Sequence, residues 1–104
     1  MIADIFAHAK SAAPGECCGL VIVDDNEEKY IPSENLHEDI SQFKIDAKLF
    51  IHHQLNSNIK YVVHSHYDSE CRPSQYDIDN CNAVGIPYMI VSYPQQEVFI
   101  LEPQ

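Results

Sequence analysis

The stretch Tyr61-Val62-Val63-His64-Ser65-His66 constrains this chain more than any other. Ile59 to Val63 is β-branched and aromatic, as a buried strand should be, so His64 and His66 leave its end on one face and can share one ion. After seven intervening residues comes Ser74, and after two more, Asp77. Arg72-Pro73 halts the intervening loop. Ser74 is a good N-cap, and Asp77 falls in the first turn of a helix expected to run to about Val84. Two imidazole nitrogens and one carboxylate oxygen leave a fourth tetrahedral position for water, the arrangement of a catalytic and not a structural zinc site. A Zn2+ ion there would lower the pKa of that water toward neutrality. The best candidate to take the proton lies far upstream: Glu16, in Pro14-Gly15-Glu16-Cys17-Cys18-Gly19, opens the apolar run Leu20-Val21-Ile22-Val23, which reads as a second buried strand. If the two strands are neighbours, Glu16 reaches the site.

Each fragment has a blander reading on its own. A lone His-x-His is as readily two ordinary exposed histidines. Ser74 and Asp77 alone would form a capping box, a role that can coexist with metal binding. Glu16 alone is an unremarkable carboxylate at a strand end. Cys71, in the loop between the ligands, reads as a loop thiol and not a fourth ligand, because a thiolate would displace the water that catalysis needs.

Taken together, Glu16, His64-Ser65-His66, seven residues, Ser74, two residues and Asp77 resemble the motif of the JAMM (MPN-plus) zinc metallopeptidases with every position filled. The resemblance implies His64, His66 and Asp77 as zinc ligands, Glu16 as general acid/base, and Ser74 as the partner of the tetrahedral oxyanion. It also implies the JAMM/MPN, cytidine-deaminase-like fold. Further matches run from His8-Ala9-Lys10 through Pro32 to Asn35 and Phe43-Lys44-Ile45-Asp46 to Gly85-Ile86-Pro87-Tyr88-Met89-Ile90-Val91-Ser92, the last resembling the N-terminal JAMM domain of lambda-type phage tail assembly proteins K. One position departs from the pattern: Tyr67 stands where these families usually have proline, removing a stiffening residue from the loop.

With 104 residues, the chain suits one domain, 1–104, with a single sheet and covering helices. A formal charge of -10, with the 6 Lys and Arg scattered, argues against nucleic acid or an anionic membrane as partner. A protein or peptide is the expected partner. No run is apolar and long enough to span a bilayer, and no basic segment precedes a hydrophobic one at the N-terminus, so the expected location is the cytoplasm of a bacterium or infected host, or the phage tail tip. The 4 cysteines do not suggest a disulfide framework, since Cys17 and Cys18 are adjacent and point to opposite faces of a strand. Cys17, Cys18 and Cys81 read as small core residues, and His8, His37, His52 and His53 as surface or helix-edge residues.

Ile2, Ile5, Phe6 and Ala9 recur at helical spacing, predicting a helix from 2 to about 12 that Pro14-Gly15 ends. Cys17 to Val23 is a strand, Asp24 to Glu27 a turn, and Lys29 to Pro32 a more polar strand paired as a hairpin. Residues 33 to 42 read as irregular and Phe43-Lys44-Ile45 as a short strand. Asp46 caps a helix from about 47 to 56 whose one face carries Ala47, Phe50, Ile51, Gln54 and Leu55. Gly85 stops the motif helix, and Tyr88 to Ser92 and Val98 to Leu101 are the closing strands. The expected architecture is α+β: a mixed, mainly antiparallel curved sheet with helices packed against it.

Three functions follow from the resemblance. The first is a zinc-dependent hydrolase of an amide or isopeptide bond acting in phage tail tip assembly. The second is a free-standing bacterial JAMM protease that releases a ubiquitin-like sulfur-carrier protein. The third is a zinc-binding tail-assembly docking module without turnover, which the strong negative charge would suit. A cysteine peptidase fits poorly, because Cys17 and Cys18 lie in a strand and not at a helix N-terminus. A zinc deaminase would require His-x-Glu and a later Cys pair, and neither occurs. In lambda-type K proteins a cell-wall-degrading cysteine peptidase domain commonly follows; the sequence ends at Gln104 before any such segment.

Overall fold

The computed structural model describes residues 1–37 and 43–104. Its elements are α1 (Ile2–Ala12), β1 (Cys18–Asp24), β2 (Glu27–Ser33), α2 (Ala47–Asn56), β3 (Asn58–Tyr67), α3 (Gln75–Val84), β4 (Tyr88–Tyr93) and β5 (Glu97–Leu101). The strands form one sheet in the order β2-β1-β3-β4-β5. Only β3 and β4 run parallel, joined by α3, and the other three pairings are antiparallel. The expected mixed, mainly antiparallel α+β arrangement is the observed one.

Period-two alternation sends each buried strand's side chains to two cores. On the α2 and α3 side, Cys18, Leu20, Ile22, Val62, Tyr88 and Ile90 cluster with Cys81 of α3 and Phe43. On the other side, Cys17, Val21, Val63, Met89 and Val91 pack against Ile5 and Ala9 of α1. Cys17 and Cys18 therefore face opposite cores, as their adjacency requires, and all four cysteines are free thiols. Between Val21 and Ile22 the register of β1 on β3 shifts by one residue, a bulge that bends the sheet.

Local signals set most boundaries. Asp25 and Asn26, both with positive φ, turn β1 into β2, where short polar side chains tolerate the left-handed region. Asp46 caps α2 by accepting from the Lys48 amide at 2.9 Å. Gly85, at φ 74°, ends α3 in the left-handed conformation, its amide donating to the Cys81 carbonyl. Tyr67, in the place of the family's proline, prolongs β3 by pairing with Tyr93, so the loop begins only at Asp68.

Several expectations are corrected. Phe43-Lys44-Ile45 is not a strand: it runs irregularly beside the end of β2, the Lys44 carbonyl accepting from the Leu36 amide and the Lys44 amide donating to Asn35 Oδ1 in place of a strand ladder. Within the irregular segment expected at 33 to 42, Ser33 instead closes β2, 34–37 are irregular, and 38–42 lie outside the described residues. The apolar face of α2 is only partly covered, with Ile51 53% and Leu55 78% exposed. Between α2 and α3 runs an apolar groove of about 470 Å3, floored by Val62 and Tyr88 and walled by Phe43, Phe50 and Val84 among others. His8 is also more than a surface residue, since its Nδ1 lies 2.6 Å from the Tyr30 hydroxyl in a half-buried contact.

Tyr30 can lie flat on the sheet because Gly19 has no side chain: a Cβ there would stand 2.5 Å from the Ile31 carbonyl oxygen and 2.7 Å from the Tyr30 hydroxyl. Gly19→Ala is therefore expected to destabilise the chain by about 1–3 kcal/mol, the usual cost of overpacking, seen as an earlier urea midpoint with unchanged slope. An unshifted midpoint would contradict this close packing.

Candidate metal centre

Antiparallel pairing sets Cys18 opposite His64, and continuing that register brings Glu16, just ahead of β1, across from His66. Alternation then puts Glu16, His64 and His66 on the same face of the sheet. One ligand atom from each lies within 4.8 Å of the others, a spacing at which a single ion can be held. The strand-neighbour condition raised from the sequence is met.

Asp77 arrives from α3. Ser74 caps this helix with both halves of a capping box: its Oγ accepts from the Asp77 amide at 3.1 Å, and its own amide donates to Asp77 Oδ2 at 2.9 Å. The box fixes the carboxylate at the edge of the histidine pair. Asp77 Oδ1 is 2.9 Å from His64 Nε2, and Oδ2 is 3.2 Å from His66 Nε2. All the expected ligands and Glu16 thus converge. The Ser74 hydroxyl uses its oxygen as a capping acceptor and keeps its hydrogen for donation, so capping does not preclude a second partner.

The two imidazoles are held differently. His66 Nδ1 lies 2.8 Å from the Glu70 carbonyl, which selects the tautomer protonated at Nδ1 and leaves the Nε2 lone pair facing Asp77. His64 is fully buried. Phe43 stacks on its ring at 4.2 Å and Tyr88 meets it edge-on at 5.8 Å. Its Nε2 has the distance but not the angle of a hydrogen bond to Asp77, and neither ring nitrogen has a well-formed partner. Polar atoms this deep are seldom left unsatisfied, and a cation bound at Nε2 would satisfy one. The donor set of two imidazoles and a carboxylate suits zinc.

Electrostatics keep His64 and Asp77 in the forms that bind a metal, and make His66 easier to protonate. Burial holds His64 below the usual imidazole range, outweighing the pull of Asp77, so it stays neutral. For Asp77, burial acts to raise the pKa, but the close approach of His64 and His66 and the bond from the Ser74 amide hold it well below the usual carboxylate range. For His66, burial again acts to lower the pKa, and Asp77, the Glu70 carbonyl and the Glu16 charge together raise it.

The remaining candidates stand apart. Cys71 is half-buried against the α3-side core and is not in the Glu16, His64, His66 cluster. Cys17, Cys18 and Cys81 are buried, and burial pushes the Cys18 thiol up to about 12, far from a nucleophile's range. His52 and His53 stack edge-on along α2, away from the centre. Sequence reasoning missed Phe43 as the cover of His64 and Glu70 as the carbonyl that orients His66. Only an aromatic residue in the segment before α2 hinted at the first, and a backbone carbonyl carries no sequence signal.

Residues 1–101 match the family model of the prokaryotic homologues of the JAB domain. The tail tip assembly protein K of Escherichia phage N15 is 33% identical over 101 residues, covering 96% of this chain but 42% of that protein, so the chain spans under half the length of this relative. Among solved structures, protein DSY2949 of Desulfitobacterium hafniense superposes with a TM-score of 0.74 at 25% identity, over 95% of this chain and 75% of the other. AF2198, a JAB1/MPN domain protein of Archaeoglobus fulgidus, gives 0.63 at 24% identity, over 98% and 92%. With its fold shared across these structures and its sequence matched nearly end to end, the chain belongs to the prokaryotic JAB-domain family.

Proposed function

We propose that this domain is a zinc metallopeptidase that hydrolyses an amide or isopeptide bond in a protein partner during phage tail tip assembly. The observation that carries the reading is the convergence of Glu16 with His64, His66 and Asp77 from three separate segments of the chain. Structural packing alone gives no reason to gather two imidazoles and two carboxylates, one of the histidines fully buried.

His64 Nε2, His66 Nε2 and a carboxylate oxygen of Asp77 would hold the ion. Bound zinc would supply Lewis acidity to polarise a carbonyl and to acidify water. Glu16 takes the proton of the attacking water and hands it to the leaving amine, as a carboxylate beside the ion can. Ser74 turns its free O–H toward the carbonyl oxygen as negative charge develops there. Phe43 and Tyr88 keep the far side of His64 dry, so its electrostatic contribution is not screened.

The tail setting is supported by the likeness to the phage N15 protein, named for tail tip assembly. That likeness favours a tail component over a ubiquitin-like sulfur carrier as substrate. The charge of -10 also suits a docking role without turnover, and the two are separable. Glu16→Gln is expected to keep about one zinc per chain and to lose cleavage of tail proteins by roughly 100-fold or more, the scale of general acid–base catalysis. Unimpaired tail assembly with this variant would favour docking alone.

Elemental analysis should find about one zinc per chain in the unaltered protein, lost in His64→Ala or Asp77→Ala. Full zinc in either variant would overturn the ligand set. Proton and zinc compete for the same imidazole lone pair, so the raised pKa of His66 makes that competition begin above the ordinary value of 6.5. Zinc affinity, measured against a chelator, should therefore fall about tenfold per pH unit below that point, one proton being displaced per ion. An affinity flat across the imidazole range would contradict His66 as a ligand.

A further inference from the structure

Glu16 lies two residues ahead of β1, which starts at Cys18, and the register of β1 on β3 continues beyond the strand to the Cys17–Ser65 pair beside it. Among the described residues, bonds at Cys17 and at the Glu16 carbonyl hold this segment. The Cys17 amide donates to Ser65 Oγ at 2.8 Å, in a fully buried contact. The Ser65 amide donates back to the Cys17 carbonyl at 3.0 Å. On the other side, Asn35 Nδ2 donates to the Glu16 carbonyl at 2.9 Å.

We infer that Ser65 and Asn35 are positioning residues that hold Glu16 against the histidine pair, an inference that rests on the metal-centre reading above. Ser65 stands between His64 and His66, its side chain on the opposite face of β3, and is 2% exposed. The strand that carries both imidazoles thus grips the segment that carries the carboxylate, and the two cannot drift apart without losing a buried bond. Asn35 works with both ends of its amide. While Nδ2 serves Glu16, Oδ1 accepts from the His37 amide at 3.0 Å and the Lys44 amide at 2.9 Å. Only an NH2 group can donate to a carbonyl and only an oxygen can accept from two amides, so these partners fix the orientation of the group. Lys44 is next to Phe43, whose ring covers His64. One carboxamide therefore ties the position of Glu16 to the cover of the buried histidine. Supporting bonds of this kind tune a metal site as strongly as some direct contacts do.

The test is a set of zinc affinities measured by chelator competition, with zinc alone as probe. Ser65→Ala, Ser65→Thr and Asn35→Ala are each made in the unaltered protein and together with Glu16→Ala. The Glu16 charge adjoins the ion without being a ligand, so its loss lowers zinc affinity while the site still fills; acting through it, Ser65→Ala and Asn35→Ala should each weaken zinc by about tenfold when Glu16 is present, and by less than about twofold when it is already Ala. Ser65→Thr keeps the accepting oxygen and should stay within about twofold of the unaltered protein. Equal losses in both backgrounds would mean that these residues act on the ligands or on folding in general, and would overturn the inference; so would no loss at all. If Ser65→Ala does not fold, Asn35→Ala and Ser65→Thr decide by the same comparison. Failure of the unaltered protein to take up zinc would sink the metal-centre reading and this inference with it, whereas normal uptake with equal losses sinks only this one.

Discussion

The antiparallel pairing of β1 with β3 governs the arrangement around the centre. It carries Glu16 across 48 residues of chain, the separation of the Cys17–Ser65 bond, to stand beside His66. Because side chains alternate with a period of two, a slip of one residue would turn both histidines into the opposite core and leave Glu16 facing away. The apolar residues that flank the site resist that slip. Leu20, Val62 and Ile90 belong to one core and Val21, Val63 and Val91 to the other, and each strand would have to exchange cores together.

On that frame the polar groups are arranged so that each constrains the next. The capping box holds Asp77, Asp77 faces both Nε2 atoms, and the Glu70 carbonyl keeps His66 in the ligand-ready tautomer. Full burial of His64 under Phe43 keeps it neutral while the carboxylate beside it stays charged. In water two such imidazoles would bind an ion weakly and in many geometries. Here the donor directions are set before an ion arrives, which lowers the ordering cost of binding.

Much of this was readable from residue pattern. The β-branched runs gave β1, β3 and β4, and Ser74 with Gly85 bounded α3 closely. Asp46 announced the start of α2. His64, His66 and Asp77 left local marks, a metal-ligand spacing and a helix cap, but the set as a whole, and Glu16 above all, was legible chiefly through its resemblance to the JAMM motif. Contacts that depend on tertiary placement left none. Asn35 reads as one polar residue in a polar segment, and its bonds to Glu16, His37 and Lys44 exist only once β2 has ended beside Glu16. Phe43-Lys44-Ile45 alternates like a strand, but the Lys44 amide and carbonyl bond to Asn35 Oδ1 and the Leu36 amide instead of joining a ladder. Leu55 follows a helical stripe whose far end the domain does not cover. Periodicity describes what an element can bury; it does not say what will be there to bury it.

The most direct test of the metal centre is a crystal structure of zinc-loaded protein with anomalous data on both sides of the zinc absorption edge. A single anomalous peak bonded to His64 Nε2, His66 Nε2 and an Asp77 oxygen at 2.0–2.2 Å, with Glu16 turned toward the open position, is the predicted result. A peak elsewhere on the chain, none at this cluster, or a Glu16 side chain directed away from the ion would contradict the account.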